Sequence, residues 1–127
     1  MESEDNVNWY INTGFVPNNN TRLITSIYPT STLTNAHFWF GSRNGSSTSQ
    51  AFVLYQSGTA TGGLNAAWNT SGNVGISQSG QKWYNIDFNK NVLKVNGSIA
   101  YTFTSGTFTG TYPIFLFAIN TSGSMDG

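Results

Sequence analysis

Five carboxylates and one histidine decide what covalent chemistry this chain could perform. Glu2, Glu4 and Asp5 crowd the N-terminus, Asp126 is next to the last residue, and Asp87 stands alone in the interior. Glycoside hydrolysis needs two facing carboxyl groups about 5 to 9.5 Å apart. Asp87 has no second carboxylate near it in sequence to share that work. Ser-His-Asp catalysis needs a histidine beside a nucleophile. The single His37 opens the run Phe38-Trp39-Phe40, where an imidazole is expected to be a packed or surface residue. With one histidine and no cysteine, a His/Cys metal cluster is not available. The residues therefore predict a protein that is not an enzyme.

Non-covalent recognition is better supplied. A sugar site needs an aromatic platform for a pyranose face and amides or hydroxyls for its OH groups. Trp39, Tyr55, Trp68 and Tyr84 are the candidate platforms, with Asn44, Asn65, Asn69 and Asn73 expected in nearby loops. Trp68 is the first choice, because Asn69-Thr70-Ser71-Gly72 follows it and reads as a loop. The competing role of each ring is core packing, since sandwiches bury aromatics on their inner faces. Trp39 and, more strongly, Trp83 are weighted toward the core, and Trp9 toward packing the N-terminal strand. Asn-x-Ser/Thr triplets begin at Asn19, Asn44, Asn69, Asn96 and Asn120. In so Asn/Ser/Thr-rich a chain they arise by chance and are not read as glycosylation sites.

Composition limits the partners. A chain of 127 residues is one domain with room for a real core. Hydrophobic residues make up 38% and aromatics 15%, enough to pack an interior. Charged residues are only 8%, against about 25% in an average soluble protein. The remaining surface is neutral and polar, suited to neutral ligands such as sugars. Formal net charge is zero and no basic stripe exists, so nucleic acid is not expected as a partner. No apolar run approaches the roughly 18 residues of a membrane span, so no membrane insertion is expected. The absence of cysteine neither requires nor excludes an oxidising compartment. The start Met1-Glu2-Ser3-Glu4-Asp5 lacks the apolar stretch of a secretory signal. Residues 1–6 are expected to be a disordered or tag-like acidic tail, and residues 7–127 the domain.

The elements that must position these side chains read as strands throughout. Apolar or alternating runs occupy residues 22–28, 37–40, 51–55, 64–68, 82–88, 92–95, 98–103 and 111–119. Ser/Gly/Asn/Thr clusters separate them as turns. No segment sustains a 3.6-residue apolar period with caps, so helix is not expected. Asn96-Gly97 between two apolar runs supplies both positive φ angles of a type I′ hairpin turn. Residues 83–103 should form a three-strand meander. Many short strands with this spacing predict an all-β, antiparallel two-sheet β-sandwich of jelly-roll type. The expected core is Phe52, Leu54, Ile86, Phe88, Leu93, Val95, Phe115 and Phe117. Residues 114–119 are apolar on both faces and should form one central strand.

Tyr10-Ile11-Asn12-Thr13-Gly14, followed by Pro17-Asn18-Asn19-Asn20-Thr21-Arg22, resembles the opening of laminin-G/concanavalin A-like domains common in gut bacteria and their phages. Phe40-Gly41-Ser42-Arg43, residues 51–55, the hairpin at residues 87–97 and residues 114–120 fall in the same order. The resemblance implies a jelly roll and a carbohydrate-binding or adhesion module of a larger secreted, surface or virion protein. The alternative is a structural or receptor-binding module of a phage tail or fibre with no small ligand. The related glucanases cluster their carboxylates on one strand, and this chain does not. Some relatives hold calcium through Asp and Asn oxygens. Asp87 and Asn89 offer two such oxygens, although Asx side chains in turns more often bond their own backbone. The resemblance departs at the C-terminus, where the family continues with strands that pair near the N-terminal one. The N-terminal strand is then expected to lack its partner within this chain. That reads as a fragment first, and otherwise as an open sheet edge completed by another chain. Glycans or a cell-surface polysaccharide are the expected ligands, and the expected location is extracellular, at the cell surface or on a virion.

Overall fold

The computed structural model describes residues 10–28, 37–44, 51–56, 63–69, 74–76, 81–104, 110–121 and 123–126. Among them there is no helix; the chain is all-β. Its strands are β1 (Ile11–Asn12), β2 (Arg22–Ile27), β3 (His37–Arg43), β4 (Ala51–Gln56), β5 (Leu64–Asn69), β6 (Val74–Ile76), β7 (Tyr84–Asn89), β8 (Val92–Val95), β9 (Ser98–Thr102), β10 (Phe115–Leu116), β11 (Ile119–Thr121) and β12 (Ser124–Asp126). One sheet has the order β1-β10-β3-β4-β5-β6, with β11 and β12 joined to it through β3. The other has the order β2-β7-β8-β9. All pairings are antiparallel except β11 with β3, which is parallel. The two sheets pack as a jelly-roll-like sandwich, as the strand spacing predicts.

Period-two alternation makes the core. In β7, Tyr84, Ile86 and Phe88 are buried, while Asn85 and Asn89 are exposed. Phe52, Leu54, Leu64, Ala66 and Trp68 meet them from β4 and β5 of the other sheet. Four phenylalanine rings run through this layer. Phe40 lies 5.5 Å from Phe52, Phe52 is 4.7 Å from Phe88, and Phe88 is 5.6 Å from Phe103, measured between ring centroids. The rings carry the contact from one sheet to the other. Of the expected core, Phe52, Leu54, Ile86, Phe88, Leu93, Val95 and Phe115 are buried. Phe115 faces away from the inter-sheet layer and stacks on Tyr10 at 4.4 Å.

The meander is built by its turns. Asn96 and Gly97 have φ of 53° and 83°, the two positive values a type I′ turn needs. Asn96 also accepts from the Asn85 backbone N–H through Oδ1 at 2.9 Å. Lys90 takes φ 54° at the β7–β8 turn, and its N–H donates to the Thr21 carbonyl at 2.9 Å. Thr21 closes the Asn run: Asn18 N–H donates to Thr21 Oγ1 at 2.7 Å and Asn20 N–H to Asn18 Oδ1 at 2.8 Å. The asparagines thus form the turn that admits the chain to β2.

Two expectations are corrected. Residues 111–119 are not one strand. Phe117 adopts φ 64° and separates β10 from β11, and its ring is 56% exposed rather than in the core. Its N–H still donates to the Trp39 carbonyl at 2.9 Å, so the break is held against β3. Neither does the N-terminal strand lack a partner in this chain. Ile11 and Asn12 pair with Leu116 and Phe115. Beyond β1, Thr13 N–H donates to the Ile114 carbonyl, Ile114 N–H to Phe15, and Gly110 N–H to Pro17, at 2.8 to 3.1 Å.

Candidate functional site

The sheet of β2, β7, β8 and β9 has one face on the core and one face free of it. Paired residues in an antiparallel ladder put their side chains on the same face. Ser26 is opposite Asn85, Ile24 opposite Asp87, and Asp87 opposite Lys94. All of these lie on the outer face. One step past Ile27–Tyr84, the last pair of β2 and β7, stand Tyr28 and Trp83. Their ring centroids are 5.4 Å apart with planes tilted by 54°. Trp83 is 62% exposed and Tyr28 42% exposed, so two aromatic surfaces face solvent side by side. Hydrogen-bonding groups adjoin them. Ser26 Oγ donates to Asn85 Oδ1 at 2.7 Å, which leaves the Asn85 amide N–H groups as donors. Asn96 Nδ2 reaches the Trp83 carbonyl at 3.4 Å, so the hairpin turn also anchors the backbone that carries the indole.

Further along β7 lies the Arg22–Asp87 pair. Arg22 Nε and Nη2 donate to Asp87 Oδ1 and Oδ2, each at 2.9 Å, a two-point contact of guanidinium with carboxylate. That hydrogen bonding holds the Asp87 carboxyl below the usual aspartate range, with Lys94 adding to the effect. A depression of about 420 Å³ opens beside the pair, lined in part by Asn89, Lys90, Lys94 and Ile99. This setting does not fit calcium. Both Asp87 oxygens are engaged by Arg22, and the other charged groups around Asn89 are cationic, so a divalent ion would meet net positive charge.

Of the expected platform residues, Trp39, Tyr55 and Trp68 lie on the other sheet and Tyr84 on β7 of this one, and they do not converge. Trp68 is 2% exposed and belongs to the inter-sheet core; counting by twos from Leu64 and Ala66 turns it inward. This corrects the expectation that the loop-like segment after it leaves the indole open as a platform. Trp39 is partly buried against the same core. Tyr84 is also buried, so it offers no platform. Tyr55 and Asn65 do come together, as direct partners in the β4–β5 ladder on the face away from the core. Phe38 joins them at 5.3 Å from Tyr55. Burial pushes the Tyr55 phenol up, still further from ionisation at neutral pH. Asn65 Nδ2 donates to the Gly63 carbonyl at 3.0 Å. Asn69 is buried beside Ala51 with φ 56°, a backbone role at the end of β5. Asn44 is exposed past β3, and His37 is exposed at its start. Asn73 and Trp9 lie outside the described residues.

Trp83 is the aromatic that the sequence reading misassigns to the core. The signal was present: Tyr84, Ile86 and Phe88 share one parity, and Trp83 has the other. No protein-family model, curated protein or solved structure matches the chain.

Proposed function

We propose that this protein is a non-catalytic carbohydrate-binding or adhesion module of a larger secreted, surface or virion protein. The exposed Tyr28–Trp83 pair carries the reading. An indole left 62% exposed beside a second aromatic forgoes much of its burial free energy. Ser26 and Asn85 next to it supply the hydroxyl and amide that a stacked pyranose requires. The sugar stacks on Trp83, Tyr28 borders it, and the Asn85 amide donates to a ring hydroxyl.

The test is a glycan array read with the wild type, Trp83→Ala and Tyr10→Ala. Trp83→Ala should weaken the strongest signals by about 30-fold, the ~2 kcal/mol of an aromatic hot spot. Tyr10→Ala, exposed at the edge of the other sheet, should leave them unchanged. The second reading, a structural or receptor-binding module of a phage tail or fibre with no small ligand, draws support from the apolar residues Tyr10, Ile11, Phe15 and Val16, all exposed at or just beyond β1. Silence on every glycan, with oligomers that grow with concentration in sedimentation velocity, would replace the first reading with this one.

A further inference from the structure

The chain has five Lys and Arg residues in all. Arg22, Lys90 and Lys94 line one depression on the outer face of the second sheet, and the carboxylate there is Asp87 alone. Three cations against one carboxylate leave two net positive charges in a protein whose formal net charge is zero. Asp87 makes its two-point contact with Arg22 and is the single carboxylate that Lys90 and Lys94 must share with it among the lining residues, so the depression keeps an excess of positive charge. Their positions are fixed by backbone: Lys94 by its pairing opposite Asp87, Lys90 by its turn bonded to Thr21.

We propose that this depression is an anion subsite and that the polysaccharide bound by the outer face is an acidic one, its carboxylate or sulfate seated between Lys90 and Lys94. The proposal rests on the carbohydrate reading above and names the class of sugar. Trp83, the residue before β7, and Asp87 within it are four residues apart, about 13 Å at about 3.3 Å per residue. Ser26 and Asn85 lie between them on the same face. An oligosaccharide stacked on Trp83 and running along β7 therefore brings a later unit to the lysines. Two lysines with no aromatic of their own make a poor track for a nucleic-acid backbone, which needs many phosphate contacts. They suffice to select one charged group on a sugar chain.

Affinity electrophoresis tests this with four polysaccharides, polygalacturonate, its methyl ester, dextran sulfate and dextran, and with single-stranded DNA as a charge control. At least one acidic polymer should retard the protein about tenfold more strongly than its neutral counterpart. Lys90→Gln with Lys94→Gln should erase most of that difference and flatten its salt dependence. Trp83→Ala should weaken binding to the same acidic polymer. Equal retardation by acidic and neutral forms, unchanged in the double lysine variant, would overturn the anion subsite and leave the carbohydrate reading standing. Silence on all four overturns the subsite, while the glycan array still judges the broader reading. Single-stranded DNA retarding the protein as strongly as the acidic polymer would show unselective charge attraction, and that too overturns it.

Discussion

Asp87 has both oxygens against the Arg22 guanidinium, and its ionisation is tied to that contact. The hydrogen bonds lower its pKa first, with the charges of Arg22 and Lys94 acting in the same direction and partial burial opposing them. A carboxylate whose folded pKa lies below its unfolded value stabilises the fold above the unfolded value. That contribution is lost as pH falls through the folded value. The contribution is small, because both side chains are open to water. A carbon-detected NMR titration should place the Asp87 midpoint below those of ordinary aspartates. Arg22→Gln should move it upward, and an unmoved midpoint would deny the pair its role. The neighbouring aromatics show what single residues disclose in sequence. Trp68 stands beside a polar segment that suggests exposure, and Trp83 stands at the head of an apolar run that suggests burial; both cues mislead. Parity within the strand is the stronger guide, since a side chain in a sheet has only two faces available. Trp68 shares the parity of Ala66 and goes in; Trp83 opposes Tyr84 and goes out.

Local turn chemistry made the meander of β7, β8 and β9 readable in advance. Asn96-Gly97 dictates a hairpin by itself, since few other pairs accept two positive φ angles. Residues 111–119 failed for a matching reason. An apolar run signals a buried strand, but nothing in it announces that Phe117 will take φ 64° and break the ladder. The pairing of β1 with β10 was equally hidden, because about a hundred residues separate the partners and no local rule reaches that far. Gly110 helps to hold this junction. A Cβ placed there would stand 2.5 Å from the Pro17 carbonyl oxygen and 2.9 Å from the proline ring. The obstacle is backbone and a rigid ring, so the segment rather than a side chain must yield. Gly110→Ala should therefore cost about 1 to 3 kcal/mol of stability by the cost of overpacking. Hydrogen exchange should rise at Thr13 and Ile114, whose N–H groups bond across the same junction. Wild-type protection there in the variant would show that the segment gives way without loss.

Binding face and core are the two sides of one sheet. Alternation in β7 sends Tyr84, Ile86 and Phe88 inward and Asn85 and Asp87 outward, and Trp83 just before the strand continues the outward parity, so the outer groups are only as well placed as the inner ones are packed. That order passes to the other sheet through Phe52 and Phe88, both fully buried with centroids 4.7 Å apart. Removing either ring opens a cavity where the sheets touch. Phe52→Ala and Phe88→Ala should each cost about 3 to 5 kcal/mol, a large share of the roughly 5 to 15 kcal/mol that holds a domain folded. The double variant should lose less than the sum, because the two deletions share one cavity and one contact. Trp83→Ala should change stability by no more than about 0.5 kcal/mol, as for most surface substitutions. Urea denaturation of the four variants measures all of this at once. A Trp83→Ala penalty as large as that of Phe52→Ala would mean that the indole supports the fold, and its exposure would then lose its force as a sign of ligand binding. Additive losses at Phe52 and Phe88 would mean that the sheets are joined elsewhere.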